Sequence, residues 1–146
     1  MLDLSYNNIS DEGVHVFSKG CLATNKLMKL SILRLNGNGF GADGTRYLAE
    51  SLKSQLLSQI ALHPHLGQGP APGTFSGLQR LELSGNRIGD EGLEAIAGYL
   101  RHNPCLKELF LDSCLLGDDG MQSAHDFLLT NKVRATDHFS VGYVRY

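Results

Sequence analysis

Residues Leu81-Glu-Leu-Ser-Gly-Asn-Arg-Ile-Gly-Asp-Glu-Gly92 pass from one periodicity to another within twelve positions. Leu81 and Leu83, two apart, fall on the same side of a short strand, because strand side chains alternate faces. Gly85-Asn86 then turns the chain, and Asp90-Glu91 puts negative charge where the first turn of a helix favours it. Beyond them Leu93, Ile96 and Leu100 recur at helical spacing. The stretch is a strand, a turn and the start of a helix.

The same unit occurs three more times. Its strand is Leu2-Asp-Leu-Ser-Tyr-Asn7, Leu33-Arg-Leu-Asn-Gly-Asn38 and Leu109-Phe-Leu-Asp-Ser-Cys114. A single spacer follows in every copy, Asn8, Gly39, Arg87 or Leu115, and then a hydrophobe and an acid-Gly turn. Those turns read Ile9-Ser-Asp-Glu-Gly13, Phe40-Gly-Ala-Asp-Gly44 and Leu116-Gly-Asp-Asp-Gly120. Helical spacing resumes at Val14, Phe17 and Cys21, at Leu48 and Leu52, and at Met121, Ala124 and Leu128. Stacked copy on copy, Asn7, Asn38 and Asn86 form a ladder of carboxamides that satisfies backbone groups the turn would bury, with Cys114 as the fourth rung. Leu81 and Leu109 are 28 positions apart, Leu2 and Leu33 31, and Leu33 and Leu81 48. The middle spacing is one unit plus an insertion of 20.

Leu-x-Leu-x-x-Asn/Cys strands and Asp-Glu-Gly helix starts at a period near 28 resemble the ribonuclease-inhibitor class of leucine-rich repeats. That class includes Ran GTPase-activating proteins and the recognition arms of NOD-like receptors. The resemblance covers residues 1–131 and implies an α/β solenoid, a partial right-handed horseshoe with parallel strands on the concave side and helices outside. It also implies a non-enzymatic scaffold for protein–protein interaction. A second implied function is regulation of a small GTPase, for which Arg87 is the one distinctive arginine on an inter-strand loop.

The ends and the insertion define the remaining organisation. Met1 begins inside a strand, so the first strand is expected to present an unpaired, apolar edge. The chain then reads as a non-autonomous fragment of a longer repeat protein, or as a short chain that self-associates edge to edge. Where a fifth Leu-x-Leu would fall, the sequence is Asp137-His-Phe-Ser, and residues 132–146 read as a degenerate last strand or cap. The insertion lies near 54–77. Its first part, Ser54 to Leu62, is expected to extend the second helix, and His63 to Gly73 is a Pro/Gly-rich surface loop.

Composition narrows the function. The chain has 146 residues, 42% hydrophobic and 19% charged, with a formal net charge of -2. Such a balance suits one globular domain and excludes a disordered tail or a strongly basic nucleic-acid binder. No apolar run approaches the roughly 18 residues of a membrane span, and no secretory signal core precedes the first strand. Three cysteines, Cys21, Cys105 and Cys114, are an odd number without close pairing, which suits an intracellular, cytoplasmic setting.

Catalytic chemistry finds little support. Gly39-Phe-Gly-Ala-Asp-Gly44 spells Gly-x-Gly-x-x-Gly, yet its sister turns lack those glycines. No acid stands between Glu50 and Glu82 to hold a ribose. His63-x-His65 has no third metal ligand nearby, and the cysteines lack zinc spacing. No cofactor, metal or catalytic residue is therefore assigned. Binding is expected on the strand positions that flank the leucines. One row runs Asp3, Arg34, Glu82, Phe110; a second Ser5, Asn36, Ser84, Asp112; a third Ile32, Arg80, Glu108. The candidate contacts are Asp3, Arg34, Asn36, Arg80, Glu82, Glu108, Phe110 and Asp112. Arg34 is expected to be neutralised within its row as readily as to meet a partner. Phe110, with no charge partner, is expected either to be an exposed aromatic of the kind that anchors interfaces or to pack under the C-terminal tail.

Overall fold

The computed structural model describes residues 1–22, 29–62, 77–101, 103, 106–123 and 139–140. Among these, strands and helices alternate along the chain. Strand β1 is Leu2–Asp3, β2 Ile32–Arg34, β3 Arg80–Glu82, β4 Glu108–Phe110 and β5 Phe139–Ser140. They form one parallel sheet in sequence order, β1-β2-β3-β4-β5. The register follows the repeat: Leu2 pairs with Leu33, Leu33 with Leu81, Leu81 with Leu109 and Leu109 with Phe139. Helix α1 (Asp11–Phe17), α2 (Ala42–Leu62) and α3 (Gly89–Leu100) each join one strand to the next, and residues 118–123 begin a further helix.

The leucines two apart build the core. Leu33, Leu35, Leu81 and Leu83 have no exposed surface, and Leu109 and Leu111 almost none. From the helices come Val14, Leu48, Leu52, Leu93, Ile96 and Leu100, and from the turns Phe40 and Ile88. Full burial of each such side chain contributes about 1.5–3 kcal/mol. The equivalent residues at the β1 edge, Leu2, Leu4 and Ile9, are only partly covered.

Asparagine joins each turn to the next. The Asn38 Oδ1 accepts hydrogen bonds from the Asn7 and Ile9 backbone N–H groups at 2.9 and 3.1 Å. Asn86 does the same for Asn38 and Gly39, both at 2.9 Å. The Nδ2 of each Asn donates back across the step, Asn38 to the Leu4 and Leu35 carbonyls and Asn86 to those of Leu35 and Leu83. At the fourth rung the Cys114 thiol donates to the Leu83 carbonyl at 3.3 Å. Burial pushes that thiol up to about 11, against the opposing backbone hydrogen bonds of Asn86 and Gly85.

Two helices depart from their simplest reading. After Phe17 the first helix widens into a π-helical turn, Ser18–Leu22. A π turn holds more residues than an α turn, so the face slips by one position. Leu22 enters the core while Cys21, expected there, stays half-exposed. Helix α2 continues through Ser54 to Leu62, making it 21 residues long against 12 for α3. The Pro/Gly stretch with His63 and His65, together with Cys105, Ala124 and Leu128, lies outside the described residues.

Candidate protein-binding face

With the leucines turned inward, the residues on either side of them share the opposite face of the sheet. Strand register aligns Asp3 with Arg34, Arg34 with Glu82 and Glu82 with Phe110. It also aligns Ile32 with Arg80 and Arg80 with Glu108. The second row is tied by hydrogen bonds: Asn36 Oδ1 accepts from the Ser84 N–H at 2.9 Å, and Ser84 Oγ meets Asp112 Oδ2 at 3.3 Å.

The charged members form one continuous chain across four strands. Arg34 Nη1 lies 3.4 Å from Asp3 Oδ2, and its Nε donates to Glu82 Oε1 at 3.0 Å. The same Glu82 oxygen accepts from Arg80 Nε at 2.6 Å, and Arg80 Nη1 reaches Glu108 Oε2 at 2.7 Å. Asn36 Nδ2 donates to the other Glu82 oxygen at 2.8 Å. Glu82 is the buried hub, 8% exposed. Burial pushes its carboxyl upward, but hydrogen bonds from Asn36, Arg80 and Arg34 outweigh that and hold it below the usual range. Asp3 is also lowered, first by the Ser5 backbone N–H and further by Arg34.

Three of the candidate residues engage neighbours on this face. Arg34 is paired from both sides of its row, as its row suggested. Glu82 is buried beneath the guanidiniums that pair with it. Phe110 is half-exposed, and Arg80, from the neighbouring row, lies over its ring with the guanidinium carbon 4.6 Å from the centroid. Arg87 stands exposed on the turn after β3.

The acids at the helix starts have a role that the single-unit reading missed. Asp11 Oδ1 accepts from the backbone N–H groups of Gly41 and Gly44 at 2.8 and 2.7 Å, capping the next unit's helix. Asp90 does the same for Gly117 at 2.8 Å. The approach is close: a Cβ at Gly44 would lie 2.6 Å from Asp11 Oδ1. The sequence signal is an Asp two residues before Gly in copies one, three and four, replaced by Ala42 in copy two.

Among the described residues no three His, Cys, Asp or Glu side chains gather to hold a metal, and no helix is long and apolar enough to cross a membrane.

Comparison with known proteins adds the following. The family Leucine Rich repeat matches at residues 2–18, 78–97 and 102–123, within the first, third and fourth copies. The chain is 29% identical over 141 residues to the NACHT, LRR and PYD domains-containing protein 12 of Mus musculus, covering 89% of this chain and 11% of that protein. It is 31% identical over 152 residues to Protein CARMIL of Dictyostelium discoideum, covering 90% of this chain and 14% of that protein. The chain thus spans about a tenth to a seventh of the length of these relatives.

Proposed function

Because the chain is a leucine-rich-repeat solenoid of the ribonuclease-inhibitor type, we propose that it is a non-enzymatic scaffold that holds a partner protein on its strand face. The observation that carries this reading is the lattice Asp3–Arg34–Glu82–Arg80–Glu108. It presents side chains from four consecutive strands, already ordered by one another, above a sheet whose backbone is fixed by leucine and asparagine. Ordering such long side chains normally costs about 0.5–1.5 kcal/mol each on association, and here much of that cost falls on folding instead. The polar, half-buried face offers charge complementarity, which sets specificity and encounter rate.

A photo-cross-linking amino acid tests the face. Placed at Asn36 on the strand side, it is expected to give a discrete protein adduct in cell extract, and placed at the exposed Glu94 on α3 it is expected to give none. Arg34→Glu, checked for folding by circular dichroism, should abolish the adduct. Adducts from Glu94 alone, or an Asn36 adduct indifferent to Arg34→Glu, would overturn the assignment.

A further inference from the structure

Arg80 differs from every other charged residue on this face. Two edges of its planar guanidinium are occupied, Nε by Glu82 at 2.6 Å and Nη1 by Glu108 at 2.7 Å. One of its two faces rests on Phe110. The side chain is nevertheless 32% exposed. Arg34 has the same exposure, but its bonds are longer, 3.0 and 3.4 Å, and no ring lies beneath it among the described residues. Arg80 is therefore a guanidinium held at two nitrogens and on one face, with a third of the side chain left open to a partner.

What can cover the open part of that plane follows from its chemistry. A partner carboxylate would meet Glu82 and Glu108, which already flank the cation, and be repelled by both. A partner ammonium would meet the cation itself. An aliphatic group would cover the plane without using its charge. A neutral aromatic ring does neither harm: it lies flat on the guanidinium, gains the cation–π attraction, and extends the Phe110–Arg80 stack by one layer. Resting on the reading of the strand face as the binding face, we propose that Arg80 is its anchor and that it receives a Trp, Tyr or Phe side chain of the partner protein.

The probe is a displayed library of random twelve-residue peptides, selected on the immobilised chain. Affinities of the selected peptides are then measured against wild type, Arg80→Lys, Phe110→Leu and, as a control on α2 away from the strand face, Arg46→Lys, each checked for folding. Arg80→Lys keeps the charge and removes the plane. Binders are expected to carry an aromatic residue and to weaken about tenfold on Arg80→Lys and on Phe110→Leu, with Arg46→Lys within threefold. Replacing that aromatic by Leu should erase the sensitivity to Arg80→Lys. Binders that depend on Arg80 but lack an aromatic, or a selection without Arg80-dependent binders, would overturn the anchor. Concave-side cross-links from Asn36 would survive that result, whereas their absence removes the binding face as a whole.

Discussion

Asn86 makes four hydrogen bonds at once, two accepted from the Asn38 and Gly39 N–H groups and two donated to the Leu35 and Leu83 carbonyls, in a site 1% exposed. Asn86→Ala strips partners from backbone groups on both sides of the turn. Each such loss costs about 1–3 kcal/mol, so the expected destabilisation is about 3–5 kcal/mol, read from urea unfolding. Glu82 gives a pH signature. Its carboxyl is lowered in the folded chain relative to 4.5, so the stability it contributes is present above that value and is lost as the pH falls through the folded value. The urea midpoint should therefore drop with acidification below about pH 4.5. In Glu82→Gln the midpoint is lower at neutral pH and the acid slope is shallower. An unchanged slope would show that the two guanidiniums do not hold this carboxylate ionised.

Two helices here are tied at their starts by an acid of the unit before them. Asp11 supplies that tie for α2, and its replacement by Ala should cost about 1–2 kcal/mol, the range for loss of an N-terminal capping side chain. The step from the second unit to the third lacks the acid, since Ala42 stands in its place. There the Gly89 N–H donates instead to the Cys114 carbonyl, and Gly89 takes a positive φ of 63°. The Ala42 Cα lies 3.3 Å from where a Gly92 Cβ would be, close to the 3.2 Å between Asp11 Cα and where a Gly44 Cβ would be. Ala42→Asp should thus reach the third helix and raise the denaturation midpoint, by about 0.5–1 kcal/mol. A lower midpoint in this variant would mean that the Gly89 geometry closes the site to a carboxylate. The π-helical turn Ser18–Leu22 belongs to this scale too, and periodicity could not show it. An apolar pattern of Val14, Phe17 and Cys21 fits an unbroken α-helix, and only packing decides that Leu22 goes inward.

Across the whole molecule, what could be read in advance was whatever repeats. Leucines two apart and the Asn that follows them carry one meaning in every copy, so sheet order, register and ladder were all legible. The rows of the strand face followed from the same register. What could not be read was the bonding between rows: Arg80 reaches sideways to Glu82, Glu108 and Phe110 through rotamers that no single row contains. The crossing acids were hidden for a related reason, because a lone strand–turn–helix unit gives Asp11 a local reading as helix-start charge. Register also holds across unequal spans. Leu33 meets Leu81, 48 positions away, in the same alignment by which Leu81 meets Leu109 at 28. Inserting fourteen Gly/Ser residues within 63–76 should then leave that alignment in place, read as a urea midpoint close to wild type. The same addition between Asn86 and Ile88 should prevent folding, as circular dichroism would show. The span between α2 and β3 is accordingly the place in the fold where foreign sequence can be received. A whole domain grafted there would leave the alignment of the strands as it is.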